Sequence, residues 1–130
     1  INNIHKCSLG FEAIPFPDNT FNFITAFDLL EHIPRHSMLD GVPISPFIFL
    51  MNEIYRVMKP GGIFLSQTPI YPFVEAFQDP THTNIMTSDT FTLYFSDKKF
   101  GLSEDYGINT SYKIIDQYIN HRHLIAFLSK

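Results

Sequence analysis

Between Ser45 and Lys59 the apolar residues recur at three- and four-residue spacing. Phe47, Leu50, Met51, Ile54, Tyr55 and Met58 share one face, while Asn52, Glu53, Arg56 and Lys59 share the other. That period predicts an amphipathic helix packed on a sheet. Ser45 followed by Pro46 marks its start, and Pro60-Gly61-Gly62 supplies the tight exit. Ile63–Gln67 then reads as a buried strand. Upstream, the turn residues Pro15–Asn19 precede Phe21–Ala26, a β-branched and aromatic run that predicts another buried strand. Asp28 is placed to cap a short helical segment, LLEHI, which Pro34 stops. Two successive strand-then-helix units predict a parallel sheet. Ligands of such sheets gather outside the carboxyl ends of the strands, here at Ala26-Phe27-Asp28 and Gln67-Thr68-Pro69.

The flanks are less strongly patterned. Ile4–Leu9 predicts a short strand, and residues 35–44 a loop carrying Gly41 and Pro43. Residues 69–87 form an aromatic and polar loop, longer than a plain connector requires. Thr87 or Ser88 caps a helix of one to two turns, DTFTLYF, and a polar, flexible patch follows from Ser96 to Gly107. Tyr112–Ile119 and His123–Leu128 predict two strands joined by a short turn, an antiparallel pair.

Composition narrows the function classes. The net charge of −4 provides no basic footprint, which argues against a nucleic-acid partner. No apolar run reaches the length of a membrane span, so no membrane role is expected. A single cysteine, Cys7, rules out an internal disulfide and points to a reducing, cytoplasmic setting. Fourteen phenylalanines without a tryptophan imply thick apolar packing or exposed aromatic surface. With Ile1 in first place, a processed or partial chain is expected.

Candidate chemistry clusters at the strand ends. His32 stands beside the crevice and reads either as a general base or as a tie between the helix and a neighbouring loop. Tyr71, Asp79, His82 and Asn84 lie on the long loop and form a candidate substrate surface, with His82 a second candidate base. Asp79 is spaced to steer the His82 imidazole, or to close a turn on its own chain with Pro80 and Thr81. His121 and His123 would share a strand face, but no third ligand has a defined spacing to them, so no metal is expected.

The succession IPFPDNTFNFITAFDLLEHI, then EIYRVMKPGGIFLSQTP, then the C-terminal strand pair resembles the class I S-adenosylmethionine-dependent methyltransferases of small molecules. DPTHTNIMTSDTF is similar to a loop and helix after the fifth strand in one branch of that family. The resemblance implies an α/β fold: a Rossmann-like methyltransferase sheet, incomplete, with strands three to seven of the family pattern and a C-terminal antiparallel pair. It implies S-adenosylmethionine as cofactor, with Phe27, Asp28 and Leu29 contacting its methionine segment. Ser8 and Leu9 fall near the end of the third strand, where the family presents an acidic side chain to the adenine; the nearest carboxylate here is Glu12. The family's glycine-rich loop and its ribose-binding carboxylate have no counterpart in these residues. The implied function is methyl transfer to a small-molecule acceptor in the intact enzyme, the isolated chain being inactive. The other reading is a non-catalytic interaction module that keeps the half-sheet. Strands orphaned in this way imply a homodimer, or an N-terminal segment folded back onto the open edge.

Overall fold

A computed structural model describes residues 3–130. β1 (Phe21–Phe27) leads through a 3-10 turn, Leu30–His32, into a small hairpin of β2 (Ser37–Leu39) and β3 (Val42–Ile44). α1 (Pro46–Val57) then returns to β4 (Met58–Pro69). A long loop and α2 (Asp89–Tyr94) precede β5 (Lys113–Asn120) and β6 (His123–Ser129). The four long strands form one mixed sheet in the order β1-β4-β6-β5. β1 and β4 are parallel, as the crossover through α1 requires, while β6 runs antiparallel to both of its neighbours. The strand order and helix placement are those of an incomplete Rossmann-like sheet, ending in an antiparallel strand pair.

α1 covers one face of this sheet. Leu50, Met51 and Ile54 are buried against Phe64, Leu124 and Leu128, as the helical period predicts. Tyr112 closes the same core and donates its hydroxyl to the Met51 carbonyl at 2.9 Å. The helix begins at Pro46, although the Ser45 side chain makes no capping bond, and it ends one residue before β4. Pro60-Gly61-Gly62 therefore does not stop the helix directly. It forms an excursion inside β4, where Phe21 pairs with Met58 but Phe23 already pairs with Ile63. Gly62 is obligatory there: a Cβ would sit 2.9 Å from the Lys59 carbonyl oxygen and 3.1 Å from that of Phe21.

Several expectations are corrected. Ile4–Leu9 is not a strand; the chain turns at Ser8, whose carbonyl accepts from the Phe11 and Glu12 amides. Those local bonds turn the chain at Ser8 in place of a ladder. β1 is not a buried strand. Only Ala26 is buried, because β1 lies at the sheet edge; Phe23 is 56% exposed and Phe27 55%. Residues 35–44 are a hairpin rather than a loop, turning on Asp40 and Gly41, both at positive φ. Asp-Gly is a hairpin signal that the pattern already contained. The patch from Ser96 to Gly107 is a succession of bonded turns, with the Phe100 amide on the Leu93 carbonyl and Ile108 on Ser103.

Glu53 does not face solvent. It is buried, accepting the Ile14 amide at 2.8 Å and both ends of the Arg56 guanidinium. Arg56 also binds the carbonyls of Ile14 and Phe16 and the Asp18 carboxylate. The pair pins the segment before β1 to α1. These bonds hold the Glu53 carboxyl below its usual range, chiefly through Arg56, against the opposing effect of burial.

Candidate functional site at the carboxyl ends of the strands

The long loop after β4 is anchored at its base and docked on the turn after β1. Ile70 and Met86 bridge in parallel, and the Tyr71 amide donates to the Met86 carbonyl at 3.0 Å. The Glu31 carbonyl accepts both the Thr83 and Asn84 amides. Arg35 clamps the same loop, through its Nε to Asn84 Oδ1 at 2.6 Å and its Nη2 to the Ile85 carbonyl at 2.6 Å. This docking brings together His32 and His82, fifty positions apart in the chain. Their rings meet edge to face at 4.9 Å.

Glu31, which sequence reasoning missed, lies at the centre. It is 2% exposed, and Thr68, also buried, donates to its Oε2 at 2.9 Å. Glu31 Oε1 stands 3.9 Å from His32 Nε2. A glutamate beside the histidine was visible in the sequence, but nothing local shows that it points inward. Asp79 closes a turn on its own chain: its Oδ1 accepts the Thr81 amide at 2.8 Å and the Thr81 hydroxyl at 2.7 Å. Those two bonds hold its carboxyl below the usual range. The Thr81 hydroxyl in turn meets His32 Nδ1 at 3.1 Å. Asp79 therefore steers His32 through Thr81, whereas its Oδ2 stands 3.8 Å from His82 Nε2.

The other predicted residues are spread around this centre. Asn84 is buried with its amide spent on the Leu30 carbonyl and on Arg35, whereas Tyr71 is well exposed. Asp28 is not a helix cap: it adopts φ 49°, the cap position falls to Leu29, and the Asp28 carboxylate lies 3.4 Å from His123 Nε2. Its amide donates to the Gln67 carbonyl at 2.9 Å. Ser8 is committed to Glu12, whose carboxylate accepts the Ser8 amide at 2.8 Å. Gly10, next to Leu9, packs so tightly that a Cβ would lie 2.9 Å from Pro46 Cβ and 3.2 Å from the Ile33 methyl. That contact carries the Ser8–Leu9 turn to the same end of the sheet as Phe27–Leu29. His121 and His123 do not share a strand face, because His121 occupies the turn at positive φ and its carbonyl meets His123 Nδ1. Cys7 has no nucleophilic setting; burial and the charges of Glu12 and Glu53 push its thiol up.

Beside the cluster, on the other side of Arg35, opens a cavity of about 510 Å³. Phe47, Ile48, Phe95 and Ile108 give it an apolar wall, and Arg35, Asp89 and Tyr94 add polar groups. None of the candidate catalytic, cofactor or substrate residues read from the sequence lines it. Arg35 is the link, touching the cavity and Asn84 alike.

A mixed α/β sheet with its polar groups gathered at the carboxyl ends of two parallel strands defines a Rossmann-like ligand-binding class. Residues 5–66 match the family model described as the methyltransferase domain, and this N-terminal part of the chain is class I S-adenosylmethionine-dependent methyltransferase-like. It is 34% identical over 76 residues to the sterol 24-C-methyltransferase of Pneumocystis carinii, covering 58% of this chain and 17% of that protein. To squalene methyltransferase 1 of Botryococcus braunii it is 30% identical over 114 residues, covering 84% of this chain and 26% of that protein. The chain thus spans about a quarter or less of these relatives. Among solved structures it is similar to the [4+2]-cyclase SpnF, with a TM-score of 0.49 and 21% identity, covering 87% of this chain and 33% of that one.

The residues present do not by themselves make a cofactor site. The amides of Ser8 and Asp28 are already bonded within the chain, the Asp28 carboxylate faces His123, and Glu12 is spent on Ser8. At most they offer one wall. Among the described residues, no helix is long and apolar enough to cross a membrane.

Proposed function

We propose that this chain supplies the acceptor-facing part of an S-adenosylmethionine-dependent methyltransferase, and that the acceptor is a small, largely apolar molecule seated in the cavity beside Arg35. The observation that carries the reading is the family match over residues 5–66, which ends in β4, the strand that leads into the docked loop. The apolar wall of the cavity and the sterol and squalene substrates in the relatives' names support the choice of acceptor. Phe27, Asp28, Leu29, Ser8 and Leu9 would face the methyl donor from one side, with the remaining contacts made by residues outside this chain. Positioning of the acceptor is the chain's main contribution, since alignment alone supplies much of the rate in a displacement reaction. Asn84 would hold Arg35 in place, while Tyr71 and Asp79, which do not line the cavity, would meet only an acceptor that extends beyond it. His32 and His82 do not line the cavity, so either would take a hydroxyl proton only from an acceptor that extends past Arg35.

Two measurements test this. Calorimetric titration of the isolated chain with S-adenosylmethionine should show weak or no binding, and micromolar binding would overturn the assignment of a single wall. Titration with a sterol or squalene in cyclodextrin should perturb tyrosine fluorescence, because Tyr94 and Tyr106 line the cavity. Saturable binding lost in Ile48→Arg supports the acceptor site. Absence of any binding would leave the interaction module as the better reading.

A further inference from the structure

We propose that Glu31, His32 and His82 bind a single divalent transition-metal ion of the zinc type, with Asp79 Oδ2 as fourth donor. One ligand atom from each of the first three lies within 4.8 Å of the others. The partners of each ring decide which nitrogen is free. The Thr81 hydroxyl gives its proton to Asp79 Oδ1, so toward His32 Nδ1 it can only accept. The Thr81 carbonyl, 3.3 Å from the same nitrogen, can also only accept. His32 therefore carries hydrogen on Nδ1, and its Nε2 is directed at Glu31 Oε1. His82 repeats the arrangement. Its Nδ1 donates to the Ala76 carbonyl at 3.1 Å, and its Nε2 faces Asp79 Oδ2 at 3.8 Å.

With each Nδ1 committed to its own partner, Nε2 is the nitrogen left to coordinate, and each Nε2 stands beside a carboxylate oxygen. A dication placed among them takes two imidazole nitrogens and two carboxylate oxygens as ligands, and the two carboxylates balance its charge. The outer bonds are those that orient metal-bound histidines, the second nitrogen donating to a carbonyl or to a carboxylate-backed group. Thr68 occupies Glu31 Oε2 and leaves Oε1 to coordinate. Mixed imidazole and carboxylate donors favour zinc-like ions over magnesium or calcium. With bonds of about 2.1 Å, tetrahedral ligand atoms stand roughly 3.4 Å apart, so the loop bearing His82 would close by roughly 1 Å. Bound there, the ion clasps the turn after β1 to the loop after β4. The proposal stands on these groups and does not depend on methyl transfer.

The test is a titration of the chelator-stripped chain with zinc by calorimetry and with cobalt(II) by visible absorption. The expected result is one ion per chain, a micromolar or tighter dissociation constant, a four-coordinate cobalt spectrum and a raised melting temperature. His82→Ala and Glu31→Gln should each weaken binding by about tenfold or more, while His121→Ala, outside the cluster, should not. Glu31→Gln retains an acceptor for Thr68, so it reports on the site even if His82→Ala loosens the loop; circular dichroism verifies that each variant is folded. Binding no tighter than millimolar, or binding that both cluster variants leave intact, overturns the proposal.

Discussion

Thr68 donates its hydroxyl to Glu31 Oε2 at 2.9 Å, with both side chains out of contact with water. This bond joins the end of β4 to the turn that follows β1, and the neighbouring backbone of Glu31 holds the long loop. Thr68→Val keeps the shape but leaves a buried carboxylate oxygen without its donor. The expected loss is about 1–3 kcal/mol, read from urea unfolding at constant m-value. A change within the error of the measurement would show that water replaces the hydroxyl.

Leu50 is 1% exposed at the centre of the α1 face. Leu50→Ala leaves a cavity between helix and sheet, and should cost about 2–5 kcal/mol. A loss below about 0.5 kcal/mol, the range of ordinary surface substitutions, would refute the packing of α1 on β4 and β6.

Acid should destabilise the chain through Glu53. Its folded-state carboxyl is depressed by Arg56, so its contribution is complete above the ordinary carboxylate pKa of about 4.3 and is lost as the pH falls through the lower folded value. Glu53→Gln should therefore lower stability at neutral pH by about 1–3 kcal/mol, the Arg56 side being partly open to water. The same variant should show a shallower decline on acidification; Asp79 and Glu75, also depressed, keep that decline from vanishing. Urea midpoints measured between neutral pH and the acid limb decide it. Parallel pH profiles for the two proteins would exclude Glu53 as a source of the acid sensitivity.

β1 pairs with β4 along one edge, and among the described residues no strand covers its other edge. Phe23 and Phe27 stand exposed on it, and the N-terminal segment does not fold back as a strand. Such an edge templates pairing with a second copy. Light scattering after size exclusion should give a dimer, and Phe23→Lys should shift it toward monomer. A clean monomer of 15.0 kDa at tens of micromolar would end the idea.

How far the chain could be read from its residues varies with the range of the signal. The α1 face, its start at Pro46, the parallel partnership of β1 and β4 and the C-terminal hairpin were all legible, because each rests on spacing within a few residues or on a short connection. The hairpin turn at Asp40-Gly41 was equally local and went unread. Among the site residues, His32, His82 and Asp79 were recognisable by type alone. Their further partnerships were not, since Asp79, besides standing 3.8 Å from His82, reaches His32 through Thr81.

The sequence by itself determined the kind and order of the main helix and the four long strands, and it pointed to polar groups at the carboxyl ends of two of them. Periodicity and turn residues act over one or two turns of chain, and they suffice for that. Only the tertiary structure decided what each polar side chain faces. Glu53 is turned inward because the segment before β1 lays the Ile14 amide against it, thirty-nine positions away. Glu31 meets Thr68, and His32 meets His82, because a loop docks on one carbonyl across the mouth of the sheet. β1 is exposed because burial depends on the layers and strands beside it, which its own seven residues do not encode.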